Sequence, residues 1–313
     1  MPLDPQMQEV LDAWSRSGLP EFSAMPLDEL RALAAVPRLP EGPAARVDSL
    51  SVPGPGGPLQ LRVYRPQSEL PTGPLGGVVF FSGGGFVIGE LTGHDALCRQ
   101  LAVGAECAVV SVDYRLAPEH RFPCAVDDAY AATCWIHEHA DSLGIDHRRL
   151  AVGGYTAGAT LATTVARLAK ERRNPALVFQ LLLYPLADLR TFDTPSHLAH
   201  AKGALLTRES VMRFASLYVR AAADRADPRC SPLAAKNLIG LPPALIITAE
   251  YDPLCDEAEA YAAALRAAHV AVTLSRYAGV AHGFVNMYPW LARGREALAQ
   301  CQRALQHALA GRA

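Results

Sequence analysis

The chain has 313 residues, half of them hydrophobic and only 19% charged, enough to bury a large core in one large domain or two ordinary ones. Its 29 basic and 31 acidic residues leave a formal charge of −2, which gives no reason to expect nucleic acid or an anionic membrane as partner. No apolar run approaches the ~20 residues of a membrane span. The seven cysteines are odd in number and lack C-x-x-C pairing, which argues for reduced thiols in the cytoplasm and against a disulfide framework or a zinc site.

Met1-Pro2-Leu3-Asp4-Pro5-Gln6 has no basic segment leading into an apolar core, so no signal peptide is expected. Over Pro5–Ser17, the positions Met7, Val10, Leu11 and Trp14 make one apolar helix face, and Gly18-Leu19-Pro20 stops it. A second helix begins at Pro26. This pair either packs on the body of the protein or forms a lid over a site. Residues 46–64 alternate as two strands around Pro53–Gly57, with a clear period of two in Leu59–Tyr64. Gly77–Phe81 is a continuous apolar run, the pattern of a strand buried on both faces.

A helix is expected over His94–Gly104, a buried strand over Cys107–Val112, and a long helix over Pro123–His139. Arg149–Val152 is a short strand and Thr160–Ala169 a helix. Val178–Tyr184 is another buried strand. Residues 186–240 break the rhythm and read as an insertion above the sheet, with a helix over Leu205–Tyr218. Pro243–Ala249 and Val270–Tyr277 resume the strands, with a helix over Asp256–Ala268 between them and a closing helix from about Leu291. Buried strands alternating with helices predict an α/β fold whose mostly parallel sheet is covered on both faces.

Four stretches follow predicted strands and therefore meet at one edge of that sheet, where such folds bind ligands. Between strand and helix, Gly154-Tyr155-Thr156-Ala157-Gly158 has the context of a nucleophile elbow, G-x-S-x-G, with threonine at its centre. Ser82-Gly83-Gly84-Gly85-Phe86 suits either an oxyanion hole or a plain tight turn. Asp252 and His282 complete the order hydroxyl, acid, histidine. In that arrangement Asp252 orients His282, His282 takes the proton of Thr156, and the amides of Gly83, Gly84 and Ala157 hold the developing oxyanion. Taken singly, Asp252 reads equally as a turn starter, Thr156 as a helix cap, and His282 as a satisfied loop histidine. Ser82, Phe86 and Tyr155 are candidates for the substrate pocket.

With these motifs in view, the chain resembles the hormone-sensitive-lipase-like family of α/β-hydrolases, the bacterial carboxylesterase group, over almost its whole length. The match rests on Asp113-Tyr114-Arg115-Leu116-Ala117-Pro118-Glu119-His120 with Phe122-Pro123, then Ala125-Val126 and Asp128-Ala129-Tyr130. Phe86, Gly89, His94 and Asp95, together with Asp252-Pro253-Leu254 and His282-Gly283-Phe284, follow the family pattern as well. The resemblance implies an α/β-hydrolase fold with an eight-stranded sheet, an active site beneath a helical cap, no cofactor, and hydrolysis of short acyl esters. It implies N-terminal cap helices in 1–45, a core in 46–185 and 241–313, and a second cap segment in 186–240.

The chain departs from the family motifs H-G-G-G and G-D-S-A-G-G at Ser82, Tyr155, Thr156 and Ala159. Ester hydrolysis through Thr156 is the leading expectation. Elimination by a lyase or dehydratase, with His282 as base and Thr156 only positioning the substrate, is an alternative that uses the same parts. A non-catalytic binding protein on the same scaffold is another. The expected partner is a small ester or acylated molecule, with no metal, and an edge strand of the sheet would allow a homodimer.

Overall fold

The computed structural model describes residues 2–35, 42–43, 45–67, 73–89, 91, 93–202 and 205–310. The apolar runs form one eight-stranded sheet. Its strands are β1 (Ala45–Gly54), β2 (Gly57–Pro66), β3 (Leu75–Phe81), β4 (Ala108–Asp113), β5 (Ile145–Tyr155), β6 (Phe179–Leu183), β7 (Ala244–Tyr251) and β8 (Val272–Ala281). They lie side by side as β1-β2-β4-β3-β5-β6-β7-β8.

Sequence pattern and position in the sheet agree. In β2 the alternating Leu59, Leu61 and Val63 are buried, while Gln60 between them faces water. Central β3 has no exposed face: Val78, Val79, Phe80 and Phe81 are all fully buried. From β4 to β8 every pairing is parallel. The β1–β2 hairpin and the β2–β4 pair are antiparallel, so the sheet is mixed at one end.

The helices are α1 (Pro5–Arg16), α2 (Leu27–Ala35), α3 (Asp95–Gly104), α4 (Cys124–Glu138), α5 (Ala157–Arg172), α6 (Pro195–Ala199), α7 (Arg208–Tyr218), α8 (Cys255–Ala267) and α9 (Ala292–Leu309). The core is split by the sheet into two layers. On one face α4, α5 and α8 pack against β-strand side chains such as Val79, Val152 and Ile246. On the other, α3 and α9 cover Val78, Phe80 and Ile247. Helix α5 is buried on all sides from Ala157 to Ala169, which its small and apolar side chains permit.

Two elements differ from the sequence expectation. Strand β5 begins at Ile145 rather than Arg149; its polar opening is stabilised by Asp146, which takes hydrogen bonds from Arg148 and Arg149. The insertion between β6 and β7 contains the short helix α6 besides α7. Thr194 starts α6 by accepting from the His197 amide, and Pro195 fits its first turn. Among the described residues no helix is long and apolar enough to cross a membrane.

Candidate active site

The site is built at the carboxyl ends of β3, β5, β7 and β8. At the end of β5 the chain reverses directly into α5, and Thr156 is the single residue between them. Its backbone sits at φ 53°, ψ −118°. That region is unfavourable for a β-branched residue and stores about 1–3 kcal/mol of strain. Glycine is needed on either side because a Cβ at Gly154 would collide with the Gly158 carbonyl, and one at Gly158 with that of Phe81. The Thr156 amide is fixed by the Leu183 carbonyl at 2.9 Å.

This turn aims the hydroxyl at a histidine. Thr156 Oγ1 lies 2.8 Å from His282 Nε2. His282 Nδ1 lies 2.7 Å from Asp252 Oδ2. The carboxylate accepts at Nδ1, so Nδ1 carries the proton and Nε2 is free to accept from the hydroxyl. Asp252 is fully buried, and its other oxygen accepts from the Leu254 amide at 2.9 Å. The Tyr184 ring meets the imidazole edge-on, with centroids 4.7 Å apart. Burial pushes the Tyr184 phenol well above its ordinary pKa, so it stays neutral.

The glycine turn after β3 faces the same point. Gly84 and Gly85 adopt φ 104° and 62°, which only glycine takes readily. Gly84 gives its carbonyl to the amides of Val87 and Ile88, both at 3.0 Å. Among the described residues, the amides of Gly83, Gly84 and Ala157 have no hydrogen-bond acceptor. Buried amides without partners are costly, which makes these three candidate donors to an anion.

Over this floor lies a cavity of about 380 Å³. Trp14 of α1 and Phe22 cover it from the N-terminal side, Leu205, Leu206 and Phe214 from the insertion, and Trp290 from beyond β8. None of the described residues lining it is Asp, Glu, Lys or Arg. The apolar character of the described lining favours an uncharged ligand. Among the described residues no group of three His, Cys, Asp or Glu converges as a metal site would.

The sequence pattern of the family described as having the α/β-hydrolase fold matches residues 78–286. The chain belongs to the α/β-hydrolase family. It is similar to the carboxylic ester hydrolase LipN of Mycobacterium tuberculosis, at 48% identity over 79% of this chain and 67% of the relative. It is also similar to esterase LipI of the same organism, at 41% identity over 91% and 88% of the two chains. Among solved structures, the hyperthermophilic esterase of the archaeon Pyrobaculum calidifontis superposes with a TM-score of 0.91 at 39% identity, covering 99% of this chain and 100% of that one. This α/β-hydrolase is thus a carboxylesterase-type enzyme, with threonine at the elbow and a helical cap above the sheet.

Three sequence candidates for the pocket have different surroundings. Tyr155 lines the cavity of the α/β-hydrolase. Ser82 does not; it is buried behind the glycine turn, and its carbonyl accepts from the Tyr114 hydroxyl at 2.8 Å. Phe86 also lies outside the lining, stacked on Tyr218 with ring centroids 3.8 Å apart. Of this stretch it is Gly83, Gly84 and Gly85, between the two, that line the cavity. Sequence reasoning missed the cap residues Trp14, Leu205, Leu206 and Phe214. Their only signal was apolar character, which does not distinguish a cavity wall from a core.

Proposed function

We propose that this α/β-hydrolase cleaves small, uncharged carboxylic esters through an acyl intermediate on Thr156. The observation that carries the proposal is the Thr156–His282–Asp252 relay, with contacts of 2.8 and 2.7 Å, together with three amides that have no partner among the described residues. Thr156 Oγ1 attacks the ester carbonyl carbon as His282 Nε2 takes the hydroxyl proton. The carbonyl electron pair moves to oxygen, and the amides of Gly83, Gly84 and Ala157 stabilise that oxyanion. When the oxyanion collapses, the C–O bond to the alcohol breaks and His282 returns the proton to the leaving oxygen. Water, deprotonated by His282, then attacks the acyl-threonine. The acid leaves, and Thr156 regains its proton.

The test is mass spectrometry of the enzyme quenched during turnover of a p-nitrophenyl ester. The expected result is an acyl mass on the peptide holding Thr156, absent in Thr156→Ala. An alkene product with no adduct, and activity that survives Thr156→Ala better than His282→Ala, would instead establish elimination. Ligand binding that survives His282→Ala without any turnover would establish a binding protein.

The scattered thiols support a reducing, cytoplasmic location. Strand β8 ends the sheet, which supports a homodimer paired along that edge. A monomer mass in gel filtration with light scattering would discard the dimer.

A further inference from the structure

We infer that Ser196, on helix α6 of the insertion, is a positioning residue that sets the Asp252 carboxylate through a single peptide unit. The inference rests on the ester-hydrolysis reading of the site. Ser196 Oγ lies 2.7 Å from the Pro253 carbonyl oxygen. A carbonyl only accepts, so the hydroxyl donates. The peptide unit that holds this carbonyl also holds the Leu254 amide, which donates to Asp252 Oδ1 at 2.9 Å. From Asp252 Oδ2 the line continues to His282 Nδ1 at 2.7 Å, and from Nε2 to Thr156 Oγ1 at 2.8 Å. One file of hydrogen bonds thus runs from the insertion to the nucleophile.

Ser196 is itself fixed in place. Its Oγ accepts from the Asp256 amide at 3.2 Å, and its own amide donates to Asp256 Oδ2 at 2.7 Å. This reciprocal pair straps α6 to the first turn of α8, just beyond the acid. Ser196, Asp252, Pro253 and Leu254 are all buried, so water competes little for the peptide between the serine and the carboxylate. Two effects follow. The peptide is planar, so its oxygen and its N–H turn together, and holding the oxygen aims the N–H at Asp252. Donation to the carbonyl also polarises the amide and strengthens its N–H as a donor, as in other hydrogen-bond chains at low dielectric. Without the hydroxyl the peptide is free to turn, the Leu254 amide leaves Oδ1, and the carboxylate no longer faces Nδ1 squarely.

This role predicts more than a loss of stability. Ser196→Ala should lower kcat about 10-fold with KM within about threefold, a fraction of the roughly 10²-fold cost of a full 1 Å displacement. The second readout needs no substrate. The proton shared by His282 Nδ1 and Asp252 Oδ2 should give a far-downfield proton magnetic resonance in the wild type, assigned by its loss in His282→Ala. In Ser196→Ala that resonance should move upfield. Ser196→Cys keeps the volume with only a weak donor, and gives the same readouts if the alanine variant fails to fold. A serine that only supports the fold would lower Tm and leave both readouts alone. The inference is overturned if the folded variant keeps kcat within about twofold of wild type, if only KM rises, or if the resonance stays in place. Failure of the ester reading shows separately, in the wild type, as a missing Thr156 adduct. The kinetic ratios are taken on whichever acyl substrate turns over.

Discussion

Two threonine–histidine–carboxylate sets stand close together in this protein, and only one is arranged for chemistry. In the first, Thr156, His282 and Asp252 form an unbroken relay at 2.8 and 2.7 Å below the cavity. In the second, Thr194 Oγ1 lies 2.8 Å from His197 Nδ1, and His197 Nε2 stands 3.8 Å from Glu257 Oε2. Thr194 there is a helix cap in relaxed extended backbone, at φ −60° and ψ 157°. Among the described residues, neither His197 Nε2 nor Glu257 Oε2, both buried, has a hydrogen-bond partner. The other Glu257 oxygen accepts from the amides of Ala187 and Asp188, at 2.7 and 3.2 Å, and so ties the start of the insertion to α8. Desolvation raises the pKa of Glu257 well above its ordinary value and lowers that of His197. Burial thus favours the uncharged form of both groups, and the second set acts as a strut. Residue types alone do not make a triad. A strained turn, a cavity and an unbroken hydrogen-bonded relay do.

The same change, carboxylate to amide, should separate the two sets most sharply. In Asp252→Asn the amide oxygen stays with the Leu254 amide, so the NH₂ faces His282 Nδ1. The imidazole must then carry its proton on Nε2, where it cannot accept from Thr156. The expected loss is about 10⁴-fold in kcat, measured on a p-nitrophenyl ester. Activity within tenfold of wild type would show that His282 does not depend on Asp252 for its tautomer.

In Glu257→Gln the amide oxygen keeps the Ala187 and Asp188 amides and the NH₂ faces His197, copying the protonated acid. Activity should persist and stability at neutral pH should rise. The sign follows from linkage: a carboxyl whose folded pKa lies above its unfolded value of 4.5 binds more protons folded than unfolded, so its contribution falls as pH rises. His197, with a lowered folded pKa, gives the opposite slope, but only below its ordinary 6.5. Above that pH, up to the pH at which folded Glu257 ionises, wild type should lose up to about 1.4 kcal/mol per pH unit relative to Glu257→Gln in urea unfolding. Parallel curves for the two proteins would mean that Glu257 is ionised in the fold.

This contrast also explains what was legible in the sequence. Thr156, Asp252 and His282 each follow a strand, and strand ends in a parallel sheet converge, so their meeting could be read from order alone. The β/α rhythm was equally plain because buried strands such as Gly77–Phe81 admit no polar residue. Glu257 was not legible as buried, since an acid in the first turn of a helix is ordinarily a solvated, dipole-favoured group. A signal existed: Glu257 precedes the buried Tyr261 by four residues and Leu265 by eight, on the apolar stripe of α8. His197 had no such signal, because α6 is five residues long and is held by a contact distant in sequence, from Ser196 Oγ to the Pro253 carbonyl. The cavity walls were unreadable for the same reason, as contacts across the cap depend on how the insertion folds back.

The smallest expected effect comes from substituting the two threonines alike. Thr156 is held at a positive φ with a stiff χ1, and its methyl crowds any tetrahedral carbon on Oγ1. Removing the methyl relieves part of that strain and widens the approach, so Thr156→Ser should raise kcat on p-nitrophenyl esters about 10-fold. Thr194 is under no such constraint, and serine caps a helix at least as well as threonine. Thr194→Ser should therefore leave kcat unchanged and shift stability by less than about 0.5 kcal/mol. Equal effects at both positions would mean that the elbow imposes nothing special on its residue. No gain at Thr156 would move the restriction on rate to its neighbours, Tyr155 in the cavity wall and Ser82 behind the glycine turn, where the chain also departs from the family motifs.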